Sequence, residues 1–230
     1  MIRFAAVLAL ALLLAGAAPV ELDSQMVLER YELEMGDLQS PKTMIFTYSV
    51  SQLGTSDIEQ RHVIYRSGLE VRDETIAIDG IPIKPKIVSF GRREDRYAIA
   101  RLAPRVASYE MLFLQTVRDG SHWDYRYQLT PLTATGARFV ATGLVIDGIS
   151  YLPREIDFTT SSGSAHGHGT LVYGKSGKYW VPLYVTVEAS VGGKAARERI
   201  VWGDYRFPRS LPASTFVPPR PLPHATLPPI

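Results

Sequence analysis

From Thr43 onward the chain keeps one habit: apolar and polar residues alternate in short runs, and each run ends in residues that favour a turn. Met44, Phe46, Tyr48 and Val50 alternate with Thr43, Ile45, Thr47, Ser49 and Ser51, the period of a strand with one face toward a core. Runs of the same kind follow over 59–66, 69–78, 85–90, 109–118, 122–129, 138–146, 154–160, 167–173, 178–191 and 195–207. The pairs Asp79-Gly80, Asp119-Gly120 and Asp147-Gly148 tolerate positive φ and suit tight hairpins, and Gly54, Gly68, Gly174–Gly177 and Gly192-Gly193 mark further turns. This order predicts a mainly β (α+β) fold, with about ten or eleven antiparallel strands in a meander that curls into a barrel or half-barrel. Alternating βα units are absent, which argues against a doubly wound nucleotide fold.

Two helical stretches interrupt the pattern. Between Glu21 and Leu38, the residues Leu22, Met26, Leu28, Tyr31, Met35 and Leu38 fall near helical spacing, with Ser24 as the expected N-cap and Pro41 beyond the end. Ile99, Leu102 and Val106 suggest a short second helix over Tyr97–Ala107.

The two ends read differently from the body. Met1 to Arg3 is a short positive start, Phe4–Leu14 is an unbroken apolar run of eleven residues, and Ala15–Ala18 offers small residues for a peptidase. That is the three-part form of a secretory signal over residues 1–18, and the run is shorter than the roughly 20 apolar residues of a membrane span. Cleavage is expected after Ala17 or Ala18, leaving a periplasmic or secreted chain without a transmembrane segment. The sequence holds no Cys, so a disulfide scaffold, a thiolate metal site, a cysteine nucleophile and a lipid-anchored terminus are all excluded. Residues 19–216 form the expected half-barrel domain. From Pro208 to Ile230 the chain carries eight of its sixteen prolines, and 217–230 reads as a proline-rich tail in extended geometry, suited to an envelope protein partner.

Candidate chemistry is sparse. Gly169–Ser176 matches the phosphate-loop pattern G-x-x-x-x-G-K-[ST], but the residues within and after it have strand character, whereas the chemistry needs a loop feeding a helix. It is read as a strand and a hairpin turn. His166 and His168 are spaced for one face of a strand, but His62, His122 and His224 are scattered, and no metal site is assigned. There is no G-x-S-x-G elbow, and Glu94-Asp95 lies among Arg92, Arg93 and Arg96 as a solvated turn would. No catalytic residue, cofactor or enzymatic activity is assigned. A net charge of +2 offers no electrostatic case for nucleic acid.

What remains is a supply of large apolar side chains on the strands. On a curled sheet they either fill a barrel core or line a ligand cavity, and only the curvature decides between the two.

The order of parts resembles a known family. Asp147, Leu152, Pro153 and Phe158 spell a D-x-x-x-x-L-P-x-x-x-x-F phrase, and the stretch Arg199–Phe207, followed by Leu211, Pro212 and Phe216, is similar to the last strand and exit of the same group. The group is the LolA/LolB-like periplasmic lipoprotein carriers and their relatives. The resemblance implies an unclosed β-barrel with helices over an apolar cavity that shelters acyl chains of a lipid or lipoprotein in transit, without a cofactor. It also implies a functional arginine, for which Arg61, Arg66 and Arg72 are the early-strand candidates. On this reading Met44, Phe46, Tyr48 and Val50 face the cavity, joined by Tyr125, Tyr127, Leu129, Tyr179, Val181 and Leu183. The alternative is a non-catalytic sensor or interaction module of the envelope on the same fold.

Overall fold

The computed structural model describes residues 23–54, 57–133, 138–162 and 165–218. The expected export signal and, apart from Val217 and Pro218, the proline-rich tail lie outside the described residues.

Helix α1 spans Ser24–Asp37 and buries Val27, Leu28, Tyr31 and Met35. Its N-cap is Asp23, not Ser24: the Asp23 carboxylate accepts from the backbone N–H groups of Gln25 at 3.0 Å and Met26 at 3.3 Å. A carboxylate one residue earlier satisfies two orphan donors and meets the positive end of the helix. The buried stripe is also rotated from the expected one, since Met26 is exposed and Val27 takes its place.

All eleven expected strands are present: β1 Thr43–Leu53, β2 Ile58–Ser67, β3 Glu70–Ile78, β4 Ile81–Arg92, β5 Tyr109–Asp119, β6 His122–Pro131, β7 Phe139–Ile146, β8 Pro153–Ser162, β9 Ala165–Ser176, β10 Tyr179–Val191 and β11 Lys194–Arg206. They form one antiparallel sheet in the order β4-β3-β2-β1-β11-β10-β9-β8-β7-β6-β5. Every pairing but one joins strands adjacent in sequence. The exception is β1 with β11, where the first strand meets the last in mid-sheet. Two hairpins use the turn chemistry that the alternation called for, with positive φ at both Asp79 and Gly80 and at both Gly192 and Gly193. Asp147-Gly148 does not. There the connection runs to Pro153, because the Asp147 carboxylate accepts from the N–H of Ile149 and Ser150 and from the Ser150 hydroxyl, holding open a wider loop.

The sheet curls without closing, and β4 and β5 are its two free edges. Register shifts insert extra residues on β3, β4, β5, β7, β8, β10 and β11, and such bulges bend strands and sharpen their twist. Pro82, Lys84, Pro85 and Lys86 on β4 discourage further pairing at that edge.

This topology imposes one long connection. Because β1 pairs with β11, the chain must pass from one outer edge of the sheet to the other between β4 and β5. Residues 93–108 make that crossing. Only Ile99–Leu102 is α-helical (α2), and Val106–Ser108 is a 3-10 turn, so the expected helix over Tyr97–Ala107 is broken into two pieces, with Pro104 between them. On the concave face, α1 packs with Tyr127, Leu144, Ile156, Leu171 and Tyr173 in one apolar cluster. Full burial of side chains of this size contributes about 1.5–3 kcal/mol each.

Candidate ligand cavity

The floor of the cavity follows from register. In β1, alternation puts Met44, Phe46, Tyr48 and Val50 on one face. Met44 pairs with Arg66 and Phe46 with Ile64 on β2, while Tyr48 pairs with Trp202 and Val50 with Ile200 on β11. Residues of the crossing segment line, with them, two adjoining lobes of about 610 Å³ each. One lobe runs past Met44, Leu69, Ile99, Trp180, Val181 and Tyr205, and the other past Tyr48, Val50, Ile64, Tyr97 and Ile200. Phe46, Arg66, Glu94, Asp95, Arg101 and Trp202 border both.

Polar contacts to its backbone hold the crossing segment down. The Tyr173 hydroxyl donates to the Tyr97 carbonyl at 3.1 Å, the Tyr31 hydroxyl donates to the Pro104 carbonyl, and the Val106 N–H donates to Glu32 at 2.6 Å. Arg66 Nη1 donates to the Arg93 carbonyl at 2.8 Å, and the Tyr97 ring meets Trp202 edge-on, with centroids 4.8 Å apart. Each contact is directional and locally made, unlike the continuous apolar packing beneath α1.

A polar knot adjoins the second lobe through Tyr48 and Arg93. Asp73 lies 2.8 Å from His62 Nδ1 and accepts from Arg93 at 3.2 Å and from the Tyr48 hydroxyl at 3.3 Å. The Tyr48 ring stacks on His62 at 4.5 Å. Burial works against the Asp73 carboxylate, yet the hydrogen bonds and charges of His62 and Arg93 outweigh it and hold the group below the usual carboxylate range. Burial and the neighbouring Asp73 charge both push the Tyr48 phenol up. Desolvation depresses Arg66, partly offset by the Asp95 charge.

The structure brings together Met44, Phe46, Tyr48, Val50 and Val181 around the two lobes. Tyr127 and Leu129 are buried in the cluster with α1, where the Tyr127 hydroxyl donates to the Ser24 carbonyl. Tyr125 stacks on Tyr151, Tyr179 packs on Phe207, and Leu183 covers Gly174. None of these five residues lines either lobe. Of the three early arginines, Arg61 is exposed beside Asp204 and Arg72 lies on the other face between the Tyr65 and Phe90 rings, so only Arg66 reaches the cavity. Glu94 is exposed and paired with Arg101, as a solvated turn allows, and both it and the half-buried Asp95 border both lobes. Sequence reasoning missed Trp202 and Ile200 on β11, because nothing local reveals that the last strand pairs with the first.

The other motifs settle simply. Gly169–Ser176 lies wholly within β9, whose backbone pairs with β8 and β10 and cannot wrap a phosphate. His168 is exposed, 3.6 Å from Glu188. Asp119, His122 and Asp124 gather at the β5–β6 hairpin in a spacing a cation could use, but the Arg154 guanidinium already pairs with Asp119 and with Asp124.

No protein-family model matches the chain, and no curated protein does. Among solved structures it is similar to an outer membrane lipoprotein-sorting protein domain from Vibrio parahaemolyticus, at 14% identity and TM-score 0.45 over 82% of this chain and 95% of that one. It is likewise similar to a LolA superfamily protein from Nitrosomonas europaea, at 13% identity and TM-score 0.40 over 86% and 98% of the two chains. A third likeness is to a DUF1329 family protein from Desulfovibrio piger, at 11% identity and TM-score 0.41 over 83% and 97%. Identities this low transfer no residue role. Among the described residues no helix is long and apolar enough to cross a membrane.

Proposed function

We propose that this protein is an exported, non-enzymatic carrier of the cell envelope that shelters acyl chains of a lipid or lipoprotein in the two-lobed cavity. The observation that supports this most is the cavity itself: an apolar floor from β1, β2 and β11 roofed by a segment held through polar contacts to its backbone. Each lobe, at about 610 Å³, falls within the roughly 300–1,000 Å³ usual for small-molecule sites. Each methylene taken from water contributes about 0.8 kcal/mol, so one long chain supplies ample affinity without covalent chemistry. The chain-facing set is Met44, Phe46, Tyr48, Val50 and Val181, with Ile200 and Trp202. Loading and release follow displacement of the crossing segment, and the proline-rich tail serves an envelope protein partner.

Native mass spectrometry of protein purified from its own envelope tests the reading, together with uptake of a fluorescent fatty acid. Co-purifying lipid is expected, as is loss of uptake on Phe46→Glu in a variant whose circular dichroism is unchanged. Lipid-free protein that takes up no fatty acid would overturn it.

A further inference from the structure

One buried charge is not accounted for by an apolar cargo. Arg66 is only 7% exposed and borders both lobes. Its Nη1 donates to the carbonyls of Arg93, at 2.8 Å, and Gly68, at 3.5 Å. Its Nε is shielded from solvent and meets no acceptor among the described residues.

Among the neighbouring charges Arg101 pairs with Glu94 at 2.7 Å and Arg93 with Asp73 at 3.2 Å, while the described carboxylates of Asp95 and Glu198 accept only from the Tyr97 N–H at 3.0 Å and the Gln52 amide at 2.7 Å. Among the described residues Arg66 forms no salt bridge, although Asp95 is near enough to be felt. A guanidinium removed from water without a counter-ion is costly, and its fork of donors fits carboxylate and phosphate oxygens.

We infer that Arg66 is the head-group site of the cavity, where it receives the acidic head of an anionic amphiphile, carboxylate or phosphate, whose chain lies along Phe46 and Trp202. This rests on the cavity reading above and adds the chemical class of the cargo. Position supports it. Arg66 sits opposite Met44 and one residue beyond Tyr65 on β2, at the junction of the lobes, so a head anchored there can send its chain into either one.

Displacement of a neutral cavity probe, Nile red, by four compounds tests the proposal: palmitate, hexadecyl phosphate, hexadecanol and inorganic phosphate. Palmitate and hexadecyl phosphate should displace the probe at concentrations at least about tenfold below hexadecanol, the ratio expected of one charge-assisted hydrogen bond. Inorganic phosphate should displace nothing. In Arg66→Gln the ratio between palmitate and hexadecanol should collapse to near unity, any loosening of the roof acting on both alike, and Arg66→Lys should restore part of it. Equal affinity for palmitate and hexadecanol in the unaltered protein would overturn the proposal without recourse to any variant. So would an equal loss for both compounds in a folded Arg66→Gln, or inorganic phosphate displacing the probe as well as palmitate does. If hexadecanol also fails to displace the probe, the cavity reading falls and the head-group site with it, an outcome distinct from failure of the head-group site alone.

Discussion

Replacing Tyr173 by Phe removes a single oxygen from a side chain that is 1% exposed. The ring stays, so no cavity opens in the cluster beneath α1. What is lost is the hydrogen bond to the Tyr97 carbonyl at 3.1 Å, which ties the crossing segment to β9. Burial pushes the phenol well above its ordinary range, so it remains a donor throughout the physiological pH range. A typical intramolecular hydrogen bond contributes about 0.5–1.5 kcal/mol net, and a carbonyl left without a partner raises the cost toward about 1–3 kcal/mol. With Tyr97 half-buried, about 1–2 kcal/mol is expected, which lowers Tm by about 2–4 °C per kcal/mol in a chain of this size. The loss should be concentrated in the roof. Hydrogen exchange of amides 97–103 should quicken about 5- to 30-fold, while amides of β8 and β9 keep their order of protection. Ligand release should quicken with it. If the roof amides exchange as in the unaltered protein, the crossing segment is not held by its phenol anchors and the account of loading built on them is wrong.

Gly148→Ala should cost more than about 3 kcal/mol in urea unfolding, because a Cβ there would lie 1.7 Å from the Trp123 carbonyl oxygen, a backbone atom that cannot give way. Stability should also fall in acid. Asp73 and Asp147 both titrate below the ordinary carboxylate range despite burial, Asp73 through His62 and Arg93, and Asp147 through Ser150, Ile149 and His122. A depressed folded pKa means stabilisation that is complete above the unfolded value near 3.9 and is lost as pH falls through the folded one. Denaturant midpoints should therefore hold steady down to about pH 4 and drop below it, and Asp73→Asn should flatten that drop.

Much of the architecture was legible in the chain. Strands could be read because a half-buried strand must alternate, and because Asp79-Gly80 and Gly192-Gly193 carry the backbone freedom that tight hairpins demand. Where local signals competed, the reading slipped. Both Asp23 and Ser24 can cap a helix, and the choice went to the carboxylate. Asp147-Gly148 looks like a hairpin turn in sequence, but the side chain of Asp147 prefers its own backbone three residues on. Four of the ten expected cavity residues share a face by the same alternation, since Met44, Phe46, Tyr48 and Val50 must do so once β1 is a strand.

Alternation alone cannot say what that face meets. Tyr127 and Leu129 have the same pattern as Phe46 and Tyr48, and all four belong to or pack against the cluster with α1, yet only the second pair also borders open space. The difference arises from long-range topology. Pairing of β1 with β11 carries Trp202 and Ile200 to the cavity floor and forces residues 93–108 across the concave face, and no neighbour in sequence records either event. The amino-acid sequence by itself determined the strands, their turns and which side chains share a face, because those depend on period and on local φ preferences. Tertiary structure alone decided which half of that face is filled, which half stays open, and that Arg66 is the charge left beside the opening.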